Sequence, residues 1–141
     1  MDLQGLERSW AITERNSVTW DELTTKELLY WLGITPKYRG FYFTAHAVSL
    51  CCQQPERLLF ITKWIYPDVA KRYGTNWQSV ERSIRTVAEI IWKYSPEKLE
   101  QIAMRELKHR PSNSDFISIL LMYIFRQYPD ACAESKAAII A

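Results

Sequence analysis

Apolar side chains recur every three to four residues along this chain. One such series with helical spacing consists of Phe41, Ala45, Val48 and Cys52. Pro55 follows and predicts the end of that helix. No run of strand length alternates between apolar and polar residues. The sequence therefore predicts an all-α fold, a compact bundle of about six to seven helices.

Capping and helix-breaking residues predict where the helices begin and end. Thr24 and Glu27 form a capping box that opens the first helix, and Gly33 suits its end. Pro67 favours the first turn of a short helix that ends at Gly74. The remaining helices are predicted over 38–54, 57–65 and 77–93, from Pro96 onward, and from Ser112 or Asn113 through 116–125.

Length and composition limit the possible classes of protein. The 141 residues, 48% of them hydrophobic, correspond to one domain. We expect a lead-in over 1–20, a helical domain over 21–128 and a tail over 129–141. No apolar run approaches the roughly 18–20 residues that span a bilayer. The first ten residues lack the apolar centre of a signal peptide, so we expect a cytoplasmic protein without a membrane partner.

Charge is distributed unevenly along the chain. The net charge is only +2. Residues 1–30 contain three basic and six acidic side chains, a net of −3, whereas residues 57–93 contain seven basic and three acidic side chains, a net of +4. A positive middle third indicates an anionic partner.

The positive region contains the steric pattern of a helix-turn-helix over 67–93. Ala70 is small enough for a second helix to cross closely, and Gly74 supplies the left-handed residue that the turn needs. Val80 is placed to hold the second helix against the first. The residues predicted to face inward from the second helix are Val80, Ile84, Val87, Ala88 and Ile91.

The opposite face of helix 77–93 carries side chains of the kinds that contact DNA. Arginine binds guanine with two hydrogen bonds, glutamine pairs with adenine, and hydroxyls contact either base. In this docking mode the start of the second helix enters the major groove. Base contacts are therefore predicted for Gln78, Ser79 and Arg82. Phosphate contacts are predicted for Lys71 and Arg85, and for the helix start at Asn76 and Trp77, where backbone donors and the helix dipole favour a phosphate. For the Trp77 side chain, packing against the domain is favoured over a DNA contact. Thr86 shares the same face.

No constellation typical of an enzyme is evident. His46 and His109 lie 63 positions apart without a cysteine or carboxylate at ligand spacing. The sequence contains no Gly-rich phosphate loop, Ser/His/Asp set or paired carboxylates. We therefore expect no catalytic residues, no metal site, no cofactor and no small-molecule substrate.

Several motifs resemble the C-terminal DNA-binding (effector) domain of the stage-zero sporulation response regulator of endospore-forming bacteria. The similar segments are Gly33-Ile34-Thr35-Pro36, Arg39-Gly40-Phe41, Ile61-Thr62-Lys63, Tyr66 to Lys71, Val80 to Arg85, Trp92 and Arg110 to Ile117. They occur in the same order over about residues 28–125.

This resemblance implies an all-α, six-helix domain whose embedded helix-turn-helix binds a short DNA box in the major groove. It also implies that copies bind tandem sites on double-stranded DNA and contact each other through the C-terminal helix. By position, the residues placed on the DNA-facing side are Gln78, Ser79, Glu81, Arg82 and Arg85. The expected function is transcription regulation in sporulation.

The chain departs from the family pattern at the reading helix. Gln78-Ser79 stands where the family typically has Ser-Arg, and Thr86 replaces a usual His. A base contact worth roughly 1–3 kcal/mol is thereby lost or redirected. We also expect a stand-alone effector domain, because the short lead-in cannot form a receiver domain.

A second interpretation belongs to a different class. A protein–protein interaction module that kept the fold and lost base reading would also suit the missing arginine and the low net charge. Such a module would bind a related regulator or dimerise through the apolar stretch Phe116–Phe125.

Overall fold

The computed structural model describes residues 19–129. That range forms seven α-helices and one 3-10 helix, with no strand. The α-helices are α1 (Trp20–Trp31), α2 (Arg39–Gln53), α3 (Ile61–Trp64), α4 (Tyr66–Tyr73), α5 (Trp77–Tyr94), α6 (Pro96–Ala103) and α7 (Asn113–Gln127), and the 3-10 helix is Pro55–Phe60. The predicted all-α helical bundle is confirmed. The lead-in and the tail lie almost entirely outside the described residues.

The first helix begins earlier than the predicted capping box. Thr19 is the N-cap of α1, and its hydroxyl accepts the N–H of Glu22 at 3.4 Å. Thr24 lies inside the helix, where its hydroxyl donates to the Trp20 carbonyl at 3.0 Å. The prediction of a helix start at Thr24 is wrong, because that threonine satisfies its hydroxyl within the helix instead of capping it.

The segment predicted as one helix over 57–65 divides into two short pieces. The 3-10 helix Pro55–Phe60 precedes α3, and neither contains a buried residue. Leu59 and Phe60 are exposed. A continuous α-helix gains most of its stability by packing an apolar face, whereas in these two pieces the apolar side chains that pack against the core, Leu58 and Ile61, are only partly buried.

The core forms around α2, which packs against α1, α5 and α7. Within α7 the residues that are buried are Phe116, Ile117, Ile119, Leu120, Leu121, Ile124 and Phe125. Most of the apolar stretch Phe116–Phe125 is thus buried in the core of the domain. None of the helices in residues 19–129 combines the length and hydropathy needed to cross a bilayer.

Candidate nucleic-acid interface

A short helix and a tight turn set the start of α5. Pro67 lies in the first turn of α4, where its missing N–H costs no helical bond. Gly74 ends α4 with φ 64° and ψ 38°, a left-handed conformation that glycine adopts without strain. Asn76 caps α5, and its Oδ1 accepts the N–H of Ser79 at 2.8 Å. The cap therefore occupies the Ser79 N–H, which is one of the backbone donors at the helix start that could otherwise bind a phosphate.

One face of α5 is buried in the domain. Its buried residues are Val80, Ile84, Val87, Ala88 and Ile91, the five predicted. α4 packs directly against α5 and contributes buried Val69 and Ala70. The small side chain of Ala70 and the apolar side chain of Val80 therefore lie inside the domain, as the steric pattern requires.

The second support of α5 is α2, which approaches it at Gly40. A Cβ built on Gly40 would lie 2.3 Å from the Ser83 carbonyl oxygen and 2.5 Å from Cγ2 of Val87. Real Cβ atoms essentially never come within 3.0 Å of another heavy atom. Glycine is therefore required for the observed distance between the two helices, and α5 is fixed from both α2 and α4.

The face of α5 that points away from the core is polar and open. Gln78 and Arg82 are exposed, and Ser79 is half-buried. Thr86 is exposed, and its hydroxyl donates to the Arg82 carbonyl at 3.0 Å. Among residues 19–129, no carboxylate pairs with Arg82. Its guanidinium is thus available to a partner, whereas the Thr86 hydroxyl keeps only its acceptor capacity.

Arg85 lies on the flank of this face. Its Nη2 is 3.6 Å from Oε2 of Glu81, one helical turn earlier. Arg85 is 43% exposed, so the pair is solvated and weak. Trp77, at the head of α5, is 42% exposed, and Lys71 projects as an exposed residue of α4. The nine predicted residues therefore lie on one continuous pair of helices.

Some basic residues of the 57–93 region are occupied by ion pairs within the domain. Nη1 of Arg57 is 2.6 Å from Oδ2 of Asp68, and Arg72 pairs with buried Glu22. Within residues 19–129, no ion pair forms at Lys63, Lys71, Arg82 and Lys93, and Arg85 has the solvated pair with Glu81 described above. Within residues 57–93, these five side chains are the basic groups that remain open to an anionic partner.

A buried polar cluster that the sequence did not reveal anchors α4. Glu22 of α1 is 1% exposed and accepts a hydrogen bond from the Arg72 guanidinium. Nδ1 of His46, on α2, lies 3.2 Å from Oε1 of Glu22 and 2.7 Å from Nη1 of Arg72. Burial alone would raise the pKa of Glu22, but hydrogen bonds and charge from His46 and Arg72 outweigh it and lower that pKa. Three helices thus meet through one cluster.

The side-chain amide of Asn113 links the start of α7 to α5. Nδ2 of Asn113 donates to the Glu81 carbonyl and to the Tyr66 hydroxyl, both at 3.0 Å. Asn113 therefore connects α7 with both helices of the α4–α5 pair. Sequence spacing cannot show this contact, because Asn113 is 32 residues from Glu81.

The domain also matches a known family. A family model described as "Sporulation initiation factor Spo0A C terminal" matches residues 25–124. This match covers most of the chain. The chain belongs to the Spo0A C-terminal family.

Members of the Spo0A C-terminal family are DNA-binding domains of sporulation regulators, not enzymes, and they bind double-stranded DNA. The resemblance identified from the motifs is thereby confirmed. Within residues 19–129, no group of three or more His, Cys, Asp or Glu side chains is arranged to hold a metal ion.

Proposed function

We propose that α4 and α5 form a helix-turn-helix and that α5 reads a short double-stranded DNA site from the major groove. The observation that carries this proposal is the open polar face of α5 around Arg82, held outward by an apolar face buried against α2 and α4. A helix of this kind fits the major groove and presents its N-terminal side chains to base edges.

The exposed side chains suggest a division of roles. Arg82 and Gln78 carry groups that discriminate bases, and Ser79 adds a hydroxyl beside them. Lys71 and Arg85 lie beside this set and serve phosphates, which position the protein without reading sequence. Within this proposal Glu81 orients Arg85, since the two side chains are paired.

The remaining predicted residues act at the start of α5. Asn76 shapes the helix start, because its side chain is the cap. The exposed Trp77 indole and the Thr86 hydroxyl oxygen lie at the margins of the reading face. We propose that the protein acts in the cytoplasm as a sequence-specific transcription regulator, with copies that bind adjacent sites or dimerise on DNA.

Fluorescence anisotropy with labelled duplexes tests these roles. We expect Arg82→Ala to weaken binding to the preferred site by about 1–3 kcal/mol and to relax the preference at one base position. Lys71→Gln should weaken all duplexes similarly and reduce the salt slope by about one. Arg105→Ala is the matched control, because Arg105 is exposed beyond α6 and lies outside the proposed interface.

Equal loss of affinity for all sequences with Arg82→Ala would contradict base reading by that residue. Absence of binding by the unaltered protein to any duplex at low salt would contradict the proposed function as a whole. In that case, co-purification with a related regulator would support a protein-interaction module, which the Glu81–Arg85 pair and the exposed Trp77 favour.

A further inference from the structure

A cleft opens beside the reading face of α5, between α4 and the start of α7. Its volume is about 410 Å³, and the lining residues include Tyr66, Arg85, Arg110 and Ser114. Arg85 comes from α5, whereas Arg110 comes from the loop before α7. These residues belong to three separate parts of the chain, so sequence spacing does not group them.

Charge in the cleft favours an anion. Two guanidinium groups line it, and the one carboxylate among the lining residues is Glu81, which is already paired with Arg85. Within the described part of the chain, Nη1 of Arg110 donates to the neighbouring Pro111 carbonyl, at 3.3 Å, and to no other acceptor. Arginine has five N–H donors in a planar arrangement that matches phosphate oxygens, so Arg110 keeps donors for a ligand.

Two further residues that line the cleft, Tyr66 and Ser114, carry hydrogen-bond donors. Tyr66 is only 3% exposed, and its hydroxyl accepts the Asn113 amide, which leaves the hydroxyl proton to be donated. At the start of α7, the N–H groups of Asp115 and Phe116 are taken by Ser112. The N–H of Ser114 precedes them and has no acceptor within the helix.

We propose that this cleft holds a backbone phosphate of the duplex that α5 reads, with Arg110 as a phosphate-contacting residue. The proposal rests on the function proposed above. α5 brings Arg85 to both the reading face and the cleft, so a duplex on that face places one strand's backbone beside Arg110. The contact joins α7 to the interface and fixes the orientation of the domain on DNA without reading sequence.

The test is the salt dependence of duplex affinity. We expect Arg110→Gln to reduce the slope of log Kd against log salt concentration by about 0.9, equally for preferred and unrelated duplexes. Arg105→Gln is the matched control and should leave the slope unchanged. Arg110→Lys should restore most of the slope, because it keeps the charge.

A second measurement alters the DNA and leaves the protein intact. In these duplexes a single phosphate is replaced by a neutral methylphosphonate. At one position, this replacement should weaken binding by the unaltered protein but should not further weaken binding by Arg110→Gln, which already lacks the contact. That coupling, with unchanged thermal unfolding, supports the proposal. Two results would overturn the proposal while leaving helix-turn-helix binding in place. One is a salt slope that Arg110→Gln does not change. The other is that, at every phosphate position, the affinity lost through the methylphosphonate adds to the affinity lost through Arg110→Gln. Failure of the unaltered protein to bind any duplex would instead refute the proposed function and this inference with it.

Discussion

The contact between α2 and α5 makes the substitution Gly40→Ala a sharp test of the packing. The added Cβ would lie 2.3 Å from the Ser83 carbonyl oxygen, whereas ordinary contacts begin at 3.4 Å. About 1 Å of movement is therefore needed, and the obstacle is helix backbone that cannot rotate away. Overpacking of this kind costs about 1–3 kcal/mol. Replacing a helical glycine with alanine would otherwise stabilise by up to about 1 kcal/mol, so the two effects oppose each other.

We expect the steric cost to exceed the gain in helix propensity. Gly40→Ala should lower the free energy of unfolding by about 1–2 kcal/mol, measured as a lower urea midpoint with an unchanged m-value. DNA affinity should also fall, because α5 can no longer sit at its position against α2. An increase in the urea midpoint would refute the reasoning, since it would mean that propensity outweighs the clash.

Gly74 provides the control for this experiment. A Cβ there meets nothing within 4 Å, so only the left-handed backbone matters. Gly74→Ala should cost about 1 kcal/mol, and Gly74→Asn should cost less, because asparagine tolerates this conformation. Gly40→Asn should show no such recovery, because its cost is steric and an asparagine Cβ meets the same carbonyl.

Two further predictions concern the groups that hold α4 and α5 in place. Because the pKa of Glu22 is lower in the folded state than its ordinary value of 4.5, ionised Glu22 stabilises the fold. This stabilisation is fully present above pH 4.5 and is lost as the pH falls through the folded-state pKa. Glu22→Gln should therefore cost about 1–3 kcal/mol near pH 7, with the difference from the unaltered protein shrinking in urea titrations below about pH 4.5; a pH-independent difference would contradict it. Asn76→Ala should cost about 1 kcal/mol in thermal or urea unfolding through loss of the cap, whereas Asn76→Asp should retain it. Equal stability of these two variants would argue against the cap.

Local chemistry explains which features the sequence could predict. The turn at Gly74 and the buried face of α5 depend on residues within one or two helical turns, and both agree with the structure. The sequence predicts this helix over 77–93, and α5 spans Trp77–Tyr94. Periodicity is reliable there because each apolar residue has a packing partner.

The features that were missed depend on distant residues. Arg72 meets Glu22 across 50 positions, so its charge could not be assigned to a buried pair from the sequence. The segment before α4 resembles a helix in composition, but whether it forms one depends on whether its apolar side chains reach the core, and Leu59 does not. Likewise, Arg110 and Arg85 line one cleft because α7 packs against α5, a contact between distant parts of the chain that includes the Asn113 amide.

Selection of duplexes from a randomised library by the purified protein tests the central claim most directly. We expect enrichment of a short motif, together with loss of base preference at one position of that motif when the selection is repeated with Arg82→Ala. A library that shows no enriched sequence, with no anisotropy change for any duplex at low salt, would contradict the claim that α5 reads DNA.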